Sequence, residues 1–180
     1  MFKGKSNIEI KTPDQLAIMR EAGLVVARTL ARVAEAVRPG VTTADLDAIA
    51  ARSIAEAGAT PSFLGYYGYP AHICTSVNGE VVHGIPGSRV LQEGDLVSVD
   101  CGAIVRGWHG DAAISVPVGD IAPEVAALSA ATEQSMWAGL AAARVGARLS
   151  DISHAVETSL RSAGPYGIVE DYVGHAIGMA

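Results

Sequence analysis

The spacing of apolar residues changes twice along this chain, and that change limits the folds open to it. From Thr12 to about residue 58 apolar positions recur at helical spacing. From Ser62 to Val118 they alternate, and from Pro123 to Gly164 helical spacing returns. Thr12 is placed to cap the first helix, with Pro13 at its first position and Gln15 completing a capping box. That helix stops at Arg38-Pro39-Gly40. A second starts at Thr42 or Thr43 and ends by Gly58. Strands are predicted over 72–78, 95–105 and 107–118, punctuated by Asn78-Gly79 and Arg106-Gly107. A third helix runs from Pro123 to about Arg144, and a fourth is capped by Ser150 and ends at Gly164. A last short strand, "GIVEDYV", leads into "GHAIGMA". This order predicts an α+β fold, with helices covering one face of a mostly antiparallel sheet.

The most informative stretch is "VSVDCGAIVRGWHGDAA", Val97 to Ala113, which carries Asp100 and Asp111 in an otherwise apolar hairpin. A two-residue turn at Arg106-Gly107 pairs 105 with 108, 102 with 111 and 100 with 113. Side chains alternate, so both aspartates then share a face as diagonal neighbours about 7–8 Å apart. Gly102 stands opposite Asp111 and is expected to leave open space. A three-residue turn would instead turn Asp111 away. Two readings follow. Two acids on a solvent face need no partner, whereas two buried acids repel and need a cation or a shared proton. Aspartate is disfavoured in strands, which lends weight to the second.

Histidines extend the second reading. His175, in "YVGHAIG", would add nitrogen to the aspartate oxygens, a set suited to Mn, Fe, Co or Zn. His83 lies in the loop "EVVHGIPG", a position open to catalysis or substrate binding. His109 falls on the aspartate face opposite Ile104, where it could support the ligands. His72 and His154 show no motif. Of nine aromatic residues, Phe63, Tyr66, Tyr67 and Tyr69 fall within "SFLGYYGYP". This loop could line an apolar pocket or simply cover the sheet.

Composition excludes several classes. Charged residues are 18% and apolar residues 49%, enough for a core, and the net charge of −6 has no basic run to meet nucleic acid. Cys74 and Cys101 form no CxxC motif, so a reducing cytoplasm is expected. No apolar run is long enough to cross a membrane, and "MFKGKSNIEIKTPDQ" lacks the apolar core of a signal peptide.

Taken together, "IKTPDQLAIMREAG", "GYYGYP", "SVNGEVVHGIPG", "LQEGDLVSVDCGAIVRGWHGDAA" and "YVGHAIG" resemble the type I, bacterial methionine aminopeptidases, from Ile8 onward. The resemblance implies a pita-bread (creatinase/aminopeptidase-like) α+β fold, an antiparallel sheet covered by helix pairs, its second half incomplete here. It implies one catalytic domain over 1–180, a first half to about 120 and a partial second half over about 121–180. The implied activity is removal of the N-terminal methionine of nascent polypeptides with two divalent metal ions, of which Co, Mn, Fe and Zn are candidates. By the same resemblance Asp100 binds one metal, Asp111 bridges both and His175 binds the second. His83 contacts substrate and stabilises the tetrahedral intermediate. Tyr66, Tyr69, Cys74 and Phe63 form the methionine pocket. The protein is expected to be a cytoplasmic monomer that associates with the ribosome.

Two departures stand out. Family members usually read Gly-His-Gly where this chain has Gly174-His175-Ala176. The remaining histidine and both glutamate ligands of the family would lie beyond Ala180. The chain is therefore expected to stop short at its C-terminus and, as 180 residues, to fold poorly or be inactive. The competing expectations are a non-catalytic binding module of the same fold, an inactive fragment, and a proline-directed peptidase. The last carries an extra N-terminal domain, which is not seen before Ile8.

Overall fold

The computed structural model describes residues 9–179. The leader reading of the first eight residues and the ending at Ala180 fall outside them. Helix α1 spans Pro13–Ala36 and α2 spans Thr43–Glu56. Each starts on a capping box, Thr12 with Gln15 and Thr42 with Asp45, whose side chains satisfy amides at the first turn. The strands are β1 Thr60–Pro61, β2 Ile73–Val77, β3 Leu96–Val105 and β4 Trp108–Pro117. Helices α3, Pro123–Ala142, and α4, Leu149–Ala163, follow and pack against each other.

All pairings are antiparallel and β3 is central. β4 lies along one edge of β3, and β2 and the two residues of β1 share the other. Val97, Val99, Cys101 and Ala103 point to one face and are fully buried. Against that face α1 lays a stripe of Ala22, Val25, Val26, Leu30 and Val33, spaced by three and four residues. α2 adds Leu46, Ala50 and Ile54. Each Val or Leu so buried stabilises the fold by about 1.5–3 kcal/mol relative to exposure. Thr29 Oγ1 donates to Ser53 Oγ at 2.9 Å inside the α1–α2 contact, so its hydroxyl is not orphaned.

Thr75 on β2 faces the same core and differs. Its hydroxyl is buried and has no hydrogen-bond partner among the described residues. Thr75→Val is therefore expected to stabilise the protein by about 1 kcal/mol, because valine keeps the shape without the orphaned oxygen. Urea unfolding monitored by circular dichroism checks this, and a lower midpoint for the variant would show that the hydroxyl has a partner.

Two sequence-based expectations are corrected. The fourth helix is not capped by Ser150, which lies within its first turn. The N-cap is Arg148, whose amide donates to Asp151 Oδ2 at 2.8 Å. Aspartate at the third helical position reaches back to the amide of the N-cap residue itself and satisfies one of the free donors at this end of the helix. Residues 167–173 form no strand. They are largely exposed and have no ladder partner, and strand geometry without cross-strand bonds leaves nothing to hold it. Pairing comes further on, where His109 N donates to Gly178 O at 2.9 Å and Trp108 bridges Met179. Asn78-Gly79 is a turn that ends β2, as the sequence predicts, though it does not join β2 to β3 as a tight hairpin. Asn78 has a φ of 56° and begins a long excursion back to β3 at Leu96, with Asn78 Oδ1 accepting from Leu96 N at 2.9 Å.

Candidate metal centre and substrate pocket

The face of the sheet opposite α1 and α2 carries the candidate residues. The turn is the tight one: Arg106 and Gly107 both have positive φ, 48° and 83°, the pair of values that matches the twist of a two-residue hairpin. Val105 therefore pairs with Trp108, Gly102 with Asp111 and Asp100 with Ala113. On β2, Cys74 stands opposite Asp100. Asp100, Asp111 and Cys74 thus share the face that the helices leave open.

His175 joins them through the tail of the chain. The bonds from β4 to Gly178 and Met179 fold the segment before them over the hairpin. An open cleft of about 440 Å³ results, lined by Asp100, Asp111, Ala113 and the run from Val173 to Ile177. Burial and the neighbouring Asp111 push the Asp100 carboxyl up to about 6, while His83 and His175 pull it back. The two acids are not both buried, as the sequence suggested. Asp100 is half-buried and Asp111 is exposed, because the tail lines the cleft without roofing it. Among the described residues no three His, Cys, Asp or Glu side chains stand close enough to hold an ion unaided. The donor set nevertheless fits a divalent cation in kind. Two carboxylates that repel face one imidazole, and a cation between them would remove the repulsion.

Gly102 does not leave open space. A methyl group there would lie 2.7 Å from Ser62 Cβ and 3.0 Å from Phe63 Cε1, so the glycine admits the 62–63 loop against β3. The backbone agrees, with Ser62 N donating to Gly102 O at 3.0 Å. Ser62 also meets His109, Oγ to Nδ1 at 2.9 Å, so His109 is turned to this loop.

The pocket residues separate into two groups. Phe63 and Tyr69 stack edge to face with centroids 6.4 Å apart. The thiol of Cys74 lies beside the Tyr69 hydroxyl, and burial raises the pKa of both groups above their ordinary values. These three form one wall. Tyr66 is 67% exposed and packs on Tyr67 instead. His83 sits at a φ of 60° in its loop and stacks edge to face on Tyr172 at 6.0 Å. His154 is exposed on α4.

Asp47 and His72 had no sequence signal as partners. The Asp47 carboxylate accepts from His72 N at 2.7 Å and Ile73 N at 3.1 Å, and meets His72 Nδ1 at 2.8 Å. The residues are 25 positions apart, so only the tertiary fold brings them together.

The chain matches the profile of metallopeptidase family M24 over residues 17–180. It is 51% identical to a methionine aminopeptidase of Clostridium acetobutylicum, covering 95% of this chain and 68% of that protein. It is 50% identical to methionine aminopeptidase 1 of Mycobacterium tuberculosis, covering 98% of this chain and 69% of that one. The crystal structure of methionine aminopeptidase from Rickettsia prowazekii superimposes with a TM-score of 0.92 at 38% identity, covering 94% of this chain and 68% of that chain.

Proposed function

This chain belongs to the methionine aminopeptidases of metallopeptidase family M24, and from that premise we propose how its residues divide the removal of an N-terminal methionine. Membership implies dependence on a divalent metal. Asp100, Asp111 and His175 would hold the metal. The observation that carries this reading is the shared face of the two aspartates, with His175 lining the same cleft. When bound, divalent ions of the Co, Mn, Fe or Zn kind polarise a peptide carbonyl and acidify water.

The remaining residues serve the substrate. Phe63, Tyr69 and Cys74 offer an apolar wall suited to a thioether, which packs well against aromatic edges. Tyr66, exposed and packed on Tyr67 in the same loop, would add a further aromatic contact for the side chain. His83 can donate a hydrogen bond to the oxygen that gains charge as the carbonyl becomes tetrahedral. Among the described residues no helix is long and apolar enough to cross a membrane. A cytoplasmic setting, a monomeric state and contact with the ribosome belong to this proposal too. Nothing in the comparisons favours a non-catalytic module.

Two measurements test it. Calorimetric titration with Mn or Co should show binding that Asp100→Asn removes, and equal binding by both proteins would overturn the ligand assignment. Release of methionine from a Met-Ala-Ser peptide, abolished by a chelator, tests the reaction itself. Absence of release, or release that persists with the chelator, would overturn it.

A further inference from the structure

We infer that Asp47, with His72, is a positioning residue for the methionine pocket, acting on its wall from the far side of the sheet. The inference rests on the pocket reading given above. Asp47 belongs to α2, the helix on the core side, and touches none of the candidate ligands. Its carboxylate is only 16% exposed and makes three bonds to two consecutive residues, His72 and Ile73. Those residues open β2, the strand that places Cys74 one position later, opposite Asp100.

Ile73 is also held from the pocket side. The Tyr69 hydroxyl lies 3.1 Å from Ile73 O and 3.1 Å from Gly84 O, so this one group ties β2 to the loop of His83. Thr75 N donates to Gly84 O at 2.8 Å, and Gly84 N donates to Ser76 Oγ at 3.1 Å, closing the tie. Ile73 is thus fixed at both ends of its residue: its amide by Asp47, its carbonyl by Tyr69. If the amide end is released, the carbonyl that orients the Tyr69 hydroxyl loses its fixed position. Tyr69 is the aromatic edge of the pocket, and Gly84 is the neighbour of His83. A change at Asp47 therefore reaches the methionine side chain and the substrate histidine together, while Asp100, Asp111 and His175 keep their own supports on the β3–β4 hairpin and the tail.

Variants of the full chain test this, with L-methionine as the probe ligand. Asp47→Ala should weaken L-methionine binding about 10-fold, the scale on which supporting partners act on a site. It should also speed amide hydrogen exchange at Ile73, Thr75 and Gly84, and leave the affinity for Mn unchanged. His72→Ala removes only the imidazole contact and should have a smaller effect in the same direction. Should Asp47→Ala fail to fold, Asp47→Leu carries the same readouts, because it keeps the volume and offers no oxygen to the two amides. Exchange at Ile73 and L-methionine affinity both unchanged in the folded variant would overturn the inference, whatever happens to its melting temperature. Wild-type protein that does not bind L-methionine would sink the pocket reading instead, and that result is read independently of the exchange data.

Discussion

Alanine in place of Asp111 is expected to lower the affinity for a divalent metal by more than about 100-fold, because groups that merely support ligands already cost about 10–100-fold when removed. Methionine release should fall with it. The geometry also predicts an opposite effect on the metal-free protein. Asp100 has its carboxyl pushed up to about 6, first by burial and then by Asp111. A carboxyl whose pKa is higher folded than unfolded contributes stability at low pH, and that contribution is lost as pH rises through about 6. Removing Asp111 lessens the loss. Metal-free Asp111→Ala should therefore be at least as stable as the parent above pH 6 and unchanged near pH 3, where Asp100 is protonated and carries no charge for Asp111 to repel. Thermal melts with and without Mn at the two pH values check both halves. Glu157→Ala serves as the control, since Glu157 lies on α4 and pairs only with exposed Arg161. A variant destabilised equally with and without metal would make Asp111 a structural acid.

What the sequence made legible follows the range of the forces involved. The capping box of the first helix and the hairpin parity depend on residues within a few positions of each other, and the structure has both. Asp100 and Asp111 on one face followed from alternation and one turn. What the sequence misread or left unseen needed distant partners. β1 is two residues long, one of them proline, and exists only because β3 offers Ile104 and Ala103 beside it. Gly102 reads as a gap until Ser62 arrives from forty residues upstream. "GIVEDYV" has strand composition, yet pairing falls to Gly178 and Met179 beyond it. The bond of Asp47 to His72 links a helix to a strand and leaves no periodic trace. His175 was found by its motif, but its nearness to the aspartates depends on where the tail meets β4.

The same distinction governs the second large effect. Gly84→Ala should disable the substrate side of the site and leave the metal side intact. Gly84 has no need of a special φ; what it needs is space. A methyl group on it would overlap the Thr75 carbonyl oxygen, and the carbonyl carbon would be 2.9 Å away. Thr75 is backbone of β2, held by its ladder to Val99, and cannot move aside as a side chain could. The loop must retreat instead, at a cost of about 1–3 kcal/mol or more, as overpacking usually demands. Retreat breaks three bonds at once: Thr75 N to Gly84 O, Gly84 N to Ser76 Oγ, and the Tyr69 hydroxyl to Gly84 O. His83, one residue away at a φ of 60°, is carried with it. L-Methionine binding and turnover should therefore fall by about 100-fold, the scale reached when a reacting group is misplaced by about 1 Å. Mn affinity should stay within error, because Asp100 and Asp111 are set by the β3–β4 register and not by this loop. Calorimetry with Mn, then with L-methionine, separates the two. Equal loss of both ligands would mean that the loop and the hairpin yield as one unit, and the division of labour proposed for this face would have to be abandoned.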